Sequence, residues 1–347
     1  MKERVLVTGN RGYIGSVLTE LLLERGYKVF GYDLGYYDGC EFYGLPKVEK
    51  QLRKDLRDVS LEDLSGIDAV IHLAALSNDP LGELDPSLTQ EINYKATINF
   101  ARVAKNAGVK RFVYSSSQSM YGVANTNEEL EEDASEKNPM TAYAKAKWDS
   151  ETGLKKMCSR DFGVVCMRPP TVFGASPNFR SDIVFNNLMA SAYTKGKIEV
   201  KSDGTPWRPV VHVRDVSMAF IAALEAPKEL VNCESFNVGI ENGNFTVCEL
   251  AEAAKRAVPG STLVFTGERG KDERTYRVSF KKILTVLKDY YKPEWDLERG
   301  GKELVEFFKK VNFTEDDLRG RKTNRLKQVQ FLYESGELNE KLQRKHD

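Results

Sequence analysis

The run VLVTGNRGYIGSVLTELLLERGYKVFGYD, residues 5–33, limits the fold more than any other part of the chain. Val5–Thr8 is short and nearly all apolar, as a strand buried on both faces is. Gly9, Gly12 and Gly15 follow, within a turn that opens the helix-like stretch Tyr13–Arg25. Lys28–Tyr32 is a second strand-like run. Strand, glycine turn, helix and strand make the setting that a dinucleotide cradle requires. Gly9 suits the tight turn, and Gly12 lets backbone amides approach a diphosphate at the helix N-terminus. Gly15 lets the helix pack closely on the strand. The spacing is three and three, not the two and three of GxGxxG. Asp33 stands 18 residues beyond Gly15, where a carboxylate takes a ribose 2′-hydroxyl and repels a 2′-phosphate. That favours NAD over NADP, with Arg11 and Lys28 as opposing charges. Taken alone, the segment also fits a glycine-rich turn with Asp33 in a loop.

The same alternation continues. Ala69–Leu73, Arg111–Tyr114 and Val164–Met167 are further short apolar runs, separated by amphipathic stretches such as Asn93–Ala107. Strands alternating with helices give βαβ units and a parallel sheet. The fold class is therefore α/β, a Rossmann-type doubly wound parallel sheet with a smaller α/β C-terminal substrate lobe. Beyond residue 174 the pattern loosens into loops, a helix over Ile183–Lys195, a strand over Ile198–Lys201, a helix over His212–Glu225 and one more strand at Ser235–Val238. Residues 245–258 read as a helix, and Glu268–Ser279 as a charged loop. The expected division is a cofactor domain over 1–174 with a returning segment near 210–240, a substrate lobe over 175–209 and 241–311, and a helical tail over 312–347. Leu326, Val329 and Leu332 in the tail would pack on the body or on a partner subunit.

Lys+Arg and Asp+Glu both number 51, so the formal charge is zero and no basic patch suggests nucleic acid or a membrane surface. No run approaches the roughly 18 apolar residues of a membrane span, and the N-terminus lacks a signal-peptide pattern. Five cysteines without a CxxC, beside three histidines, argue against a zinc site. They read as reduced, mostly buried thiols of a cytoplasmic protein. No metal is expected.

The third, fourth and fifth strand-like features end in KDLRD, HLAAL and SSSQSMYG, at the sheet edge where ligands of open α/β sheets bind. Asp55, Ala74 and Ala75 fall there. TAYAKAKWDSE follows, with Tyr143 and Lys147 four apart on one helix face. A phenol is a poor base at its reference pKa near 10. A neighbouring ammonium is expected to bring it toward neutral pH, while Ser117 holds the substrate oxygen. Such a trio moves a proton to or from an alcohol while hydride moves at the attached carbon.

TGNRGYIG, Asp33, HLAAL, SSSQSMYG, YAKAK, RPPTVFG and WRPVVHVRD together resemble the extended short-chain dehydrogenase/reductases, of the NAD-dependent nucleotide-sugar epimerase/dehydratase type. The resemblance spans about residues 3–290. It implies Ser117, Tyr143 and Lys147 as catalytic residues. It implies NAD contacts at Gly9, Arg11, Gly12, Tyr13, Ile14, Gly15, Asp33, Asp55, Leu56, Leu73, Ala74, Ala75, Asn93, Tyr143, Lys147 and Pro170. Substrate contacts would come from Ser117, Ser119, Thr171, Asn187, Arg208, Arg269 and Arg274, the arginines gripping a diphosphate through their forked guanidinium. Thr171 replaces the asparagine that the family often has in RxxNxxG, and Ala146 stands where serine is common.

The dehydratases of the family carry an Asp-Glu pair after the catalytic Thr, and the decarboxylases usually a glutamate at the second position. Gln118 and Ser119 occupy those positions here, so both reactions are disfavoured. Epimerisation remains, by transient oxidation to a 4-keto sugar and hydride return to the opposite face. A 4-ketoreductase of a nucleotide-linked 4-keto-6-deoxy sugar is the alternative. A non-catalytic NAD-binding regulator is disfavoured by the presence of Tyr143 and Lys147. The implied partners are a nucleotide-diphosphate sugar and a second copy, in a homodimer through Asn93–Ala107 and Thr141–Lys156.

Overall fold

A computed structural model of the chain describes residues 3–123, 128–268 and 275–345. The strands, in chain order, are β1 Arg4–Thr8, β2 Lys28–Tyr32, β3 Lys50–Leu52, β4 Ala69–His72, β5 Arg111–Ser115, β6 Glu129–Leu130, β7 Gly163–Arg168, β8 Thr171–Phe173, β9 Lys197–Val200, β10 Trp207–His212, β11 Ser235–Asn237, β12 Asn244–Thr246, β13 Thr262–Phe265 and β14 Arg277–Val278. Seven of them form one sheet in the order β11-β7-β5-β4-β1-β2-β3, and every neighbouring pair in it is parallel. Chain order runs outward in both directions from the β1/β4 junction, so the crevice of a doubly wound sheet opens there. Three small sheets, β12-β10-β8, β13-β9 and β14-β6, lie outside it.

The alternation of side chains along a strand divides the apolar residues between two faces. Val5, Val7, Ile71, Val113 and Val165 pack with Val17, Leu18 and Leu22 of the helix Tyr13–Glu24 and with Val216 and Phe220 of the helix Val213–Glu225. Leu6, Val70, Phe112 and Val164 face the other way, onto Phe100 and Ala104 of the helix Ala96–Asn106 and Leu154 of the helix Ala142–Met157. Both faces are covered, which explains why the strands read as continuous apolar runs rather than alternating ones. A separate core gathers Phe179, Phe185, Leu188, Leu250, Leu304 and Phe308.

The tail packs on the body. Val329 and Leu332 of its helix, Arg325–Glu334, are buried with Leu338 and Leu342 against Leu76, Leu81, Leu88 and Ile92, the segment that follows β4. Helix limits follow local caps. Thr141 Oγ1 accepts from the amide of Ala144 at 3.1 Å, and Thr246 and Glu249 form a reciprocal capping box.

The cysteines need a correction. Cys158 and Cys233, 75 residues apart, are joined in a disulfide, and only Cys40, Cys166 and Cys248 are free. The bond links the end of the helix Ala142–Met157 to the turn before β11. Spacing in the sequence does not show a pair that only the parallel β7/β11 register brings together. Among the described residues no helix is long and apolar enough to cross a membrane, and no cluster of His, Cys, Asp and Glu is placed to hold a metal ion.

Candidate active site

The ends of β1, β2, β4, β5 and β7 converge on a cleft of about 810 Å³. Gly9, Gly12, Tyr13, Ile14 and Gly15 line one end, and Ser117, Ser119, Tyr143 and Lys147 the other. The glycines are needed for different reasons. Gly9 adopts φ +70°, and a Cβ there would lie 3.0 Å from the backbone nitrogen of Ala74, across the β1/β4 junction. A Cβ on Gly15 would overlap the Gly9 carbonyl oxygen. Gly12, just before the helix Tyr13–Glu24, leaves its amide end open to the cleft. Asp33 follows β2 and accepts the amides of Arg11 and Gly35 at 3.1 and 2.8 Å. Desolvation in the cleft wall still holds its carboxyl above the usual range, against those two amides and the nearby Arg11 guanidinium. This is a cradle a side chain would fill, with the Asp33 carboxylate in the same cleft wall, and it fits NAD.

Asp55, Leu56, Leu73, Ala74, Ala75 and Pro170 also line the cleft. Arg11 and Asn93 do not. The Arg11 guanidinium is turned to Asp38 and Glu41, at 2.8 and 3.1 Å. Asn93 is buried and clamps the backbone of Leu76, accepting its amide at 2.8 Å and donating to its carbonyl at 3.0 Å. Thr171, Asn187 and Arg208 line the cleft on the side of the second core. Asn187 donates to the Ser181 carbonyl. Arg269 and Arg274 lie outside the described residues.

The charge state at the end lined by Ser117, Tyr143 and Lys147 differs from the expectation. Lys147 is 3% exposed, and its ammonium donates to the Ser115 carbonyl at 2.6 Å. It sits 5.8 Å from the centre of the Tyr143 ring. Burial holds its pKa down to about 7. Tyr143 is not lowered: desolvation and the Asp79 carboxylate push the phenol up to about 12, against a hydrogen bond with Ser117 and the charge of Arg180. Burial makes the ammonium itself costly to keep charged, and Lys147 is not among the groups that draw the phenol down. Asp79 comes from the short helix Asp79–Gly82, where it accepts from Thr141 Oγ1, the cap of the Tyr143 helix, at 2.5 Å.

Ser119 Oγ donates to Ser117 Oγ at 2.9 Å, so the two hydroxyls act as a unit in the cleft wall. Gln118 between them is fully buried, and its amide nitrogen donates to the carbonyls of Arg168 and Val238 at 3.0 and 3.1 Å. It points into the protein and not into the cleft. Below the site, Arg168 and Glu151 form a buried pair at 2.6 Å. Glu151 also accepts from Ser116 and Ser235, each at 2.6 Å, and Arg168 donates to Tyr121 at 2.9 Å.

Several cleft residues had no sequence signal. Arg180 and Asp182 form a salt bridge at 2.8 Å in its wall. Tyr36 and Tyr37 come from the loop after β2, and Asn324, Arg325 and Leu326 from the start of the C-terminal helix.

The model of the NAD dependent epimerase/dehydratase family matches residues 5–239. The chain belongs to that family. Its cofactor is NAD, and it is an enzyme of the short-chain dehydrogenase/reductase class. Human UDP-glucose 4-epimerase is 31% identical over 292 residues, covering 74% of this chain and 82% of that protein. Two solved structures share the fold at similar distance. MoeE5 in complex with UDP-glucose and NAD has a TM-score of 0.75 at 26% identity, covering 89% of this chain and 99% of its own. The UDP-N-acetylglucosamine 4-epimerase of Methanobrevibacter ruminantium M1, in complex with UDP-N-acetylmuramic acid, has a TM-score of 0.78 at 25% identity, again covering 89% and 99%.

Proposed function

We propose that this chain is an NAD-dependent 4-epimerase of a nucleotide-diphosphate sugar. The observation that carries the reading is one cleft with a dinucleotide cradle at one end, Ser117, Tyr143 and Lys147 at the other, and no acid-base pair after Ser117. Gln118 is packed into the core and Ser119 is a hydroxyl, so the positions that carry Asp-Glu in the dehydratases offer no group for eliminating water.

In this reading the glycine turn and the helix Tyr13–Glu24 hold the cofactor diphosphate, and Asp33 takes the adenosine ribose. Arg208, Asn187 and Thr171 take the nucleotide sugar. The chain works as a cofactor lobe over 1–174 with a returning segment near 210–240, a substrate lobe over 175–209 and 241–311 and a helical tail over 312–347, and it pairs as a homodimer through the helices Ala96–Asn106 and Ala142–Met157. Ser117 holds the sugar 4-oxygen beside the phenol. Once the phenol has given up its own proton to solvent, the Tyr143 phenolate takes the hydroxyl proton as the alcohol becomes a ketone and returns it when the alcohol re-forms. NAD, when bound, supplies the acceptor and donor for the electron pair of the sugar C–H bond. Asp79 opposes loss of the phenol proton, while Arg180 and the Ser117 hydrogen bond assist it.

The test is proton NMR on purified protein with a panel of nucleotide sugars, UDP-glucose first, and a trace of NAD. A second anomeric signal that grows to a fixed ratio without reduced cofactor accumulating is the expected result. Tyr143→Phe should slow it by about 10²–10⁴-fold, the usual weight of a general acid-base group. No second signal from any sugar, together with consumption of reduced cofactor on a 4-keto sugar, would replace the epimerase with the ketoreductase.

A further inference from the structure

We infer that Arg325, brought in by the C-terminal helix, binds the diphosphate of the dinucleotide from the side opposite the glycine turn. The inference needs NAD as the cofactor but not the epimerase reading.

Arg325 is 2% exposed and stands in the cleft wall between Asn324 and Leu326. Its guanidinium lies over the ring of Tyr37 at 3.9 Å. Its Nη2 donates to the Asn178 carbonyl at 2.7 Å, and the side chain makes no other hydrogen bond among the described residues. Asn178 in turn donates from Nδ2 to the carbonyl of Arg11, inside the glycine turn, at 2.5 Å. The guanidinium is thus one residue removed from the turn.

The local charge is unbalanced. Arg180 and Asp182 are bound to each other through two contacts, at 2.8 and 3.1 Å, and Asp182 also accepts from Asn78 at 2.9 Å. Arg325 itself has no salt bridge among the described residues, and the Asp182 carboxylate near it is taken up by Arg180. A buried charge without its own counter-ion is costly, unless a ligand supplies one. A planar fork lining the same cleft as the glycine turn suits phosphate oxygens, which it can take two at a time.

The tail is built to hold that arginine in place. Tyr36 donates to the Leu342 carbonyl at 2.5 Å, and Gln328 donates to the Tyr36 carbonyl at 3.0 Å. Both bonds tie the tail to the loop that follows Asp33. The solved relatives align over 99% of their own length but 89% of this chain, so about a tenth of this protein has no counterpart in them.

The experiment is calorimetric titration of the full chain, stripped of nucleotide, with NAD, ADP-ribose and UDP. It compares the parent protein with Arg325→Met and Arg325→Lys. Arg325→Met is expected to weaken NAD and ADP-ribose about tenfold or more, the weight of a charged hydrogen bond, and to leave UDP within twofold. Arg325→Lys keeps the charge without the fork and should give a smaller loss, again confined to NAD and ADP-ribose. It carries the same comparison should the methionine variant not fold. A loss confined to UDP would assign the arginine to substrate and overturn the inference. Equal losses for all three ligands, or none, would reduce Arg325 to packing and overturn it as well.

Discussion

Lys147 shows how far a single residue can depart from what its neighbours in sequence suggest. YxxxK placed it beside Tyr143, and it is there, but almost wholly buried, with its ammonium on a backbone carbonyl and its pKa held down to about 7 from an ordinary 10.5. In the unfolded chain the same group keeps its proton up to the ordinary value. Between those two pH values the unfolded chain binds more protons, so this residue makes stability rise as pH rises from about 7 toward 10, and below about pH 7 the full penalty applies. The penalty is on the order of 5 kcal/mol. Lys147→Met keeps the length and sheds the charge. It is expected to abolish turnover, to melt several degrees higher than the parent at pH 7, and to lose the parent's gain in stability between pH 7 and 9. Melting curves at the two pH values decide it. A variant that melts lower and keeps the same pH dependence would mean that the ammonium is well accommodated where it lies.

At the scale of elements, the helix Ala142–Met157 carries both Tyr143 and Lys147, and it is held to the sheet by one residue a turn further on. Glu151 takes the guanidinium of Arg168 at the end of β7 and hydroxyls from Ser116 after β5 and Ser235 on β11. Glu151→Gln leaves Arg168 buried, 1% exposed, without its counter-ion. Urea unfolding should show a loss of about 3–5 kcal/mol, and the paired change Glu151→Leu with Arg168→Met should recover most of it. A single variant as stable as the parent would show that the network does not fix the helix. This element also marks where the sequence could be read and where it could not. The strands and helices were legible because apolar runs and caps such as Thr141 are local. The glycine turn, Asp33, Ser117 and the YxxxK pair were legible because each sits at a fixed place in a strand–turn–helix unit. The roles of Arg168 and Tyr121, which looked only like marks of a family, were not, because their partners are 17 to 116 residues away. The Cys158–Cys233 bond was hidden for the same reason.

For the molecule as a whole, the cleft is lined by residues from Gly9 to Leu326, so nearly the entire chain has to fold before the wall is complete. That is why Arg180, Arg325 and Tyr37 were not legible in the sequence, since nothing local marks a residue that reaches the cleft only through tertiary packing. It also makes ligand binding a reporter of the tail. A ligand that binds only the folded chain stabilises it by about 2.7 kcal/mol at one hundred times its Kd. The part of that gain that depends on the tail can be isolated at Val329, fully buried in the core that holds the C-terminal helix to Leu76, Leu81 and Leu88. Val329→Asp buries a carboxylate with no partner in an apolar cluster and should detach the helix while leaving the main sheet intact. Melting curves with and without NAD, at one fixed concentration, are expected to show a clear upward shift for the parent and a much smaller one for Val329→Asp. The comparison has to use the shift and not the midpoint, because losing the small core lowers the midpoint whatever the tail does for the cofactor. Equal shifts in the two proteins would mean that the tail adds stability without shaping the cleft, and the wall around the cofactor would then end with the residues of the main sheet and the loop that carries Arg180.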